Sequence, residues 1–329
     1  MKRISLVLMA FAIMLPVTLS YAGFNKAGRT SMQFLKIGIG ARSVAMGEAC
    51  IADMNDVNAT FWNAAAITEM EGRQVSFSYN RWIADLNVVS GAIGFQIPRA
   101  GAFALTYTSL DYGDIQEALT TSSTGGVDTR TGDTFSGSDL AIGLGFSRQY
   151  TDKLSIGVQI KYLREELFTF SSSLWGFDVG SLYHTGWRGI RLAMSAQNFA
   201  RQARWMHTTS ERQQSFELPL LFRIGWSIDL YGGDDLFLGG HAGRGKWTLN
   251  MDALHSNDYA ERLHVGTEYT LLDLISFRAG YRFNYEEGNL SLGTGLNYTF
   301  GRSHIIVDYA YVNYEFLQSP HRLTMTLVF

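Results

Sequence analysis

The feature that most constrains this chain is a two-residue alternation of apolar and polar side chains that recurs along most of its length. Trp247, Leu249, Met251 and Ala253 alternate with Thr248, Asn250 and Asp252, and Ile275, Phe277, Ala279, Tyr281 and Phe283 alternate with Ser276, Arg278, Gly280 and Arg282. Ile190 to Ala196 and Leu220 to Ile228 repeat the pattern, with Arg191 and Arg223 on their polar faces. One face is apolar with aromatic ends; the other is small, polar or charged. That is the signature of strands set between lipid and a polar lumen. About fourteen such segments lie between residues 73 and 329, an even number, each near the length a tilted strand needs to cross a bilayer. The connections alternate as well. Pro98 to Gly101, Gln149 to Lys153, Leu271 to Asp273 and Gly301-Arg302 are short, whereas 111–138, 199–216, 255–261, 285–289 and 315–320 are longer and polar. Residues 231–245 break this rule, a long connection on the short-turn side, and point to a misplaced strand there.

A soluble β-sandwich would alternate too, but with its polar face outward. The N-terminus favours the membrane. Lys2 and Arg3 precede an apolar run from Ile4 to Leu19, and Ser20-Tyr21-Ala22 offers small residues for cleavage, so residues 1–22 read as a signal peptide. No apolar run long enough for a membrane-spanning helix follows. The expected fold is therefore all-β: a 14-stranded antiparallel transmembrane β-barrel over 73–329 with an N-terminal plug segment over 23–72. The expected location is the outer membrane of a Gram-negative bacterium, among outer-membrane lipids. The last strand places Leu323, Met325, Leu327 and the terminal Phe329 on one face, like the signal that such barrels present to the barrel-assembly machinery.

Charge and chemistry exclude more than they assign. Lys and Arg total 27 against 30 Asp and Glu, a net of −3, which gives nucleic acid no electrostatic handle. A single cysteine, Cys50, excludes a disulfide scaffold and reads as a packing residue. Gly240 to Lys246 imitates a phosphate-binding loop, but Trp247 stands where Ser or Thr is needed and a strand follows in place of a helix. The histidines lack metal-ligand spacing, so no catalytic, metal or cofactor site is expected.

Residues 31–70 abandon the alternation for small residues, with Asp53, Asn55, Asp56 and Asn58 at turn or cap-like spacing. Phe34-Leu35-Lys36-Ile37-Gly38, Gly40-Ala41-Arg42, Ala45-Met46-Gly47 and Phe61-Trp62-Asn63 resemble the N-terminal signature of the PorV/PorQ family, within the superfamily of FadL-type transporters. The resemblance covers about 40 residues; with Asp56 and the strand count it implies a fourteen-stranded barrel holding its N-terminal segment inside. Where the family continues with Pro-Ala-Gly, this chain has Ala64-Ala65-Ala66, which admits a helical turn. The resemblance implies two roles. PorV-type members collect exported proteins by their C-terminal signal domains and deliver them within the type IX secretion machinery; FadL-type members pass a hydrophobic ligand through the barrel wall.

The polar phase of the strands carries Lys161, Asp178, Arg191, Arg223, Asp229, Asp252, Glu268, Arg278, Arg282 and Asp308, of both signs. In a narrow interior these charges are expected to pair into a network joining barrel and plug. A mixed-charge lumen is an awkward path for an alkyl chain and leans toward protein docking. Partners would then meet the outer loops: the Gly/Ser/Thr-rich stretch 111–138, read as mobile, and the loop 199–216 with Arg201, Arg204, Trp205, His207 and Arg212. A lateral gap in the wall near the early strands would mark the alternative, a route for a hydrophobic solute; the sequence does not fix the position of such a gate.

Overall fold

A computed structural model describes residues 28–119, 129–207, 210–233, 236–240 and 243–329; the expected signal peptide lies outside them. In chain order the strands are β1 (Arg73–Arg81), β2 (Asn87–Ile97), β3 (Gly101–Asp111), β4 (Ile115–Leu119), β5 (Thr129–Phe135) and β6 (Gly137–Gln149). There follow β7 (Leu154–Leu167), β8 (Phe170–His184), β9 (Ile190–Ala200), β10 (Ala203–His207), β11 (Ser210–Phe216) and β12 (Leu221–Tyr231). The last six are β13 (Gly245–Ser256), β14 (Arg262–Leu271), β15 (Ile275–Phe283), β16 (Leu290–Phe300), β17 (Ser303–Val312) and β18 (His321–Val328). Fourteen of them pair antiparallel in sequence order, and β1 pairs with β18 from Gln74↔Val328 to Arg81↔His321, closing the ring. The remaining four form two hairpins, β4–β5 and β10–β11, at the long-loop end. The stretches read as loops from their composition therefore carry strand pairs.

The wall is an inverted core. In β1, Val75, Phe77 and Tyr79 are 40%, 51% and 42% exposed on the outer face, while Gln74, Ser76, Ser78 and Asn80 are buried on the inner one. A sandwich in water would bury the apolar face, so the alternation resolves in favour of a membrane barrel. No helix among the described residues is long and apolar enough to cross a membrane. The connection 231–245 is genuinely long. Strands β12 and β13 stay paired from Leu221↔Ser256 to Tyr231↔Trp247, so no strand is misplaced and that expectation is corrected.

Residues 30–70 fill the lumen in short turns: Gln33–Lys36, Ala41–Ala45, Val57–Phe61 and Ala64–Glu69. Small residues in this segment meet glycines on the inner wall, allowing backbone to lie on backbone. A Cβ added at Gly157 would stand 2.3 Å from the carbonyl carbon of Ala64, and one at Gly280 2.0 Å from the nitrogen of Gly47. Gly47 itself has φ +64°, a conformation that a side chain resists. Gly157→Val should therefore undock the turn 64–69 rather than be absorbed, since the obstructing atoms are main chain. Limited proteolysis of the folded barrel should show new cleavage within the 64–69 turn; an unchanged digest would mean that the contact is not maintained.

Candidate functional site

The N-terminal segment is assembled from its own caps. Asp56 accepts a hydrogen bond from Asn58 N at 2.7 Å and starts the turn 57–61; Asn63 does the same for 64–69 through Ala65 N at 3.1 Å. Ala64-Ala65-Ala66 is helical, as the missing Pro allows. Asn63 also donates to Ile51 O and to the wall at Ser181 O, and Trp62 Nε1 donates to Ile39 O at 2.8 Å. Gly40, at φ +86°, precedes the helical turn 41–45. Gly38 lies where a Cβ would press on the Glu48 carboxylate. Gly38, Gly40, Trp62 and Asn63 of the N-terminal motif thus each have a local structural task.

Many of the lumen charges form ion pairs, several of them joining wall to segment. Glu268 takes Arg42 from the segment at 3.0 Å and Arg278 from the next strand, and Arg278 continues to Asp308 at 2.7 Å. Arg191 bridges Asp53 at 2.8 Å and Asp229 at 3.0 Å. Arg282 and Arg223 converge on Glu48 at 3.0 and 3.8 Å. Asp252 holds the main chain, accepting from Cys50 N at 2.8 Å and Ile51 N at 3.1 Å. Lys161 and Asp178 pair at 2.8 Å within the wall. Glu48 was not legible as a partner, because no periodicity governs the segment that carries it.

A cavity of about 60 Å3 lies in the lumen, toward the long-loop end. Phe34, Ile37 and Trp62 form its segment side, and Gln197, Asn198 and Leu221 part of its wall side. At that point the wall is irregular. Between Phe177↔Phe199 and Val179↔Ala196, two residues of β9 face the single residue Asp178, a β-bulge with Asn198 at φ +67°. Asn198 N donates to Asp178 at 2.8 Å, Lys161 donates to the Asn198 side chain at 2.6 Å, and that amide donates to Pro219 O at 2.9 Å. Strand β9 pairs with β12 only up to Gln197↔Leu221, and near its own start β8 pairs with β10, at Met206↔Ser171. The cavity therefore abuts a bulge in the β8–β9 ladder, beside the end of the β9–β12 pairing.

Above the cavity, the start of the segment is latched to the loops. Thr30 and Lys36 donate to Asp258 at 3.0 and 2.5 Å, and Ser31 and Met32 N donate to Glu165 at 2.6 and 2.8 Å. Trp205 turns inward, donating to Ser31 at 2.9 Å, whereas Arg201 and Arg204 are exposed. Only the last two present themselves to a partner; the side chain of Arg212 lies outside the described residues. Burial pushes the Asp258 carboxyl up, but hydrogen bonds from Lys36, Ser256 and Thr30 outweigh it and hold it below the ordinary carboxylate value. A depressed carboxylate stabilises above its unfolded pKa and loses that contribution as pH falls through its folded one. The latch should thus hold at neutral pH and weaken only below about 3.9. Asp258→Asn should weaken it at neutral pH, with trypsin cleaving after Lys36 several-fold faster than in the wild type.

A closed fourteen-stranded barrel with its N-terminal segment inside and a cavity against a wall bulge defines the class. Among solved structures, the toluene transporter TodX of Pseudomonas putida is 14% identical, with a TM-score of 0.58 over 88% of this chain and 97% of that one. A Pseudomonas aeruginosa FadL homologue is 11% identical, with a TM-score of 0.53 and the same coverage. The monoaromatic hydrocarbon channel CymD is 13% identical, with a TM-score of 0.54 over 88% and 96%. This chain shares the closed fourteen-stranded fold of these proteins. No protein-family model and no curated protein matches the sequence.

Proposed function

We propose that this barrel sits in the outer membrane, short turns toward the periplasm, and passes small hydrophobic molecules from the long-loop side through its wall. The observation that carries this reading is that the lumen cavity and the wall irregularity share Gln197, Asn198 and Leu221. The similar structures of a toluene transporter and a monoaromatic hydrocarbon channel support the chemical class. At about 60 Å3 the cavity is below the roughly 150 Å3 that accommodates benzene. Entry thus requires the stretch Phe34 to Ile39 to yield, which the Lys36 latch controls. The test is uptake of radiolabelled toluene or a long-chain fatty acid by cells whose outer membrane has no transporter of its own. Barrel-dependent uptake is expected; equal uptake with and without the barrel overturns the reading.

A second reading rests on the motif from Phe34 to Asn63 and on exposed Arg201 and Arg204 at the loop end: PorV-like capture of exported proteins by their C-terminal signal domains. Native mass spectrometry of gently extracted protein separates the two. A bound protein with such a domain favours capture, and a bound hydrophobic molecule without one favours transport.

A further inference from the structure

Around Glu48 the lumen carries more guanidinium groups than that carboxylate can pair. Arg322, on β18, is only 2% exposed, and its Nε and Nη1 have no hydrogen-bond partner among the described residues. Directly beside it on β1 is Asn80, 4% exposed, whose amide nitrogen and oxygen are both unpartnered. The indole of Trp82 covers the guanidinium at 5.0 Å, and Tyr314 meets Trp82 edge-on at 6.1 Å. The ionisable groups close enough to act on Arg322 are Glu48, Arg282 and Tyr314. Glu48 is already engaged by Arg282 and Arg223, so one carboxylate serves three buried guanidiniums. His264, also buried, has an unpartnered Nδ1, and Asp252 is committed to the main chain of Cys50 and Ile51. A buried, unpaired guanidinium costs several kcal/mol, whereas a charge-assisted oxyanion contact recovers it.

We infer that Arg322 and Asn80, beneath Trp82, form a binding site for one oxyanion, a carboxylate or a phosphate. Three donors, Arg322 Nε, Arg322 Nη1 and the Asn80 amide, supply the contacts; Trp82 and Tyr314 form the lid through which it enters from the loop end. The site stands apart from the cavity at Asn198 and does not depend on the transport reading.

The test is thermal unfolding of the full chain in detergent, with chloride replaced by inorganic phosphate or by acetate at constant ionic strength. Wild type should show a saturable rise of about 2–4 °C with an oxyanion. Arg322→Met should lose that rise while melting no lower than wild type in chloride, because an apolar replacement of an unpaired buried charge is tolerated. Asn80→Ala, which keeps the guanidinium, should show a smaller rise and serves if the first variant fails to fold. A rise with phosphate alone, together with a phospholipid in the mass spectrum of the purified protein, identifies a lipid headgroup; a rise with both identifies a small free anion. No rise in wild type, or one that survives in Arg322→Met, or in Asn80→Ala undiminished, overturns the site.

Discussion

Deleting Asn198 should reduce uptake of a hydrophobic solute to that of cells without the barrel, while the barrel still assembles. The deletion removes the extra residue of β9, so that Gln197 alone faces Asp178 and the pairing between Phe177↔Phe199 and Val179↔Ala196 becomes continuous. It also removes the three hydrogen bonds that pin the bulge to Asp178, Lys161 and Pro219. A continuous ladder leaves the cavity without an outlet into the bilayer. The companion experiment ties the segment to the wall at the opposite end. Thr68 Oγ1 and Ser155 Oγ are 3.0 Å apart, so Thr68→Cys with Ser155→Cys, in a Cys50→Ala background, places two thiols within bonding reach. The oxidised, tethered barrel should retain uptake, because a sideways exit does not require the segment to leave the lumen. If tethering abolishes uptake and the deletion does not, solute runs down the lumen and the side exit is wrong.

Glu268→Leu should destabilise the barrel by about 3–5 kcal/mol, the cost of breaking a buried ion pair from one side. Glu268 joins the segment to the wall, with Arg42 on one flank and the chain Arg278–Asp308 on the other. Arg42 retains Asp53 at 3.3 Å and Arg278 retains Asp308, so the structure loosens at this joint before it unfolds elsewhere. Adding Arg42→Met should recover part of the loss, because the unpaired charge goes with it. Heat-dependent migration on gels and denaturant unfolding read both variants; equal stability of Glu268→Leu and wild type would show that the pair is hydrated and weak.

The strands of the wall were legible because lipid and lumen impose opposite chemistry on alternate residues, a pattern that β9 carries with one change of phase. The lumen charges were legible by phase, but their partners were not. Strand neighbours and the enclosed segment are distant in sequence, as with Arg42 and Glu268, so spacing carries no information on pairing. Arg322 was on the polar phase beside Thr324 and Thr326, and only three-dimensional neighbours reveal that it has no anion. The bulge left a trace that the sequence reading missed. Apolar outward positions run on even numbers through Leu192, Met194 and Ala196, then resume on the odd Phe199. Such a change of phase within one strand means an inserted residue. The hairpins β4–β5 and β10–β11 were hidden because neither shows clean alternation.

The seam between β1 and β18 sets the order of assembly. Its partners, such as Gln74↔Val328, are farther apart in sequence than those of any other strand pair in the wall, and they are the pairs that close the ring around residues 30–70. Closure of such distant pairs is slow, since the entropy of ordering the intervening chain comes first. The segment cannot be threaded through a finished ring whose inner glycines lie against its main chain, so it must be in position before the final strand arrives. A chain that lacks β18 would therefore hold its first residues and its last strands apart, with both polar inner faces open to water. In this protein the strand His321–Val328 decides whether residues 30–70 are enclosed.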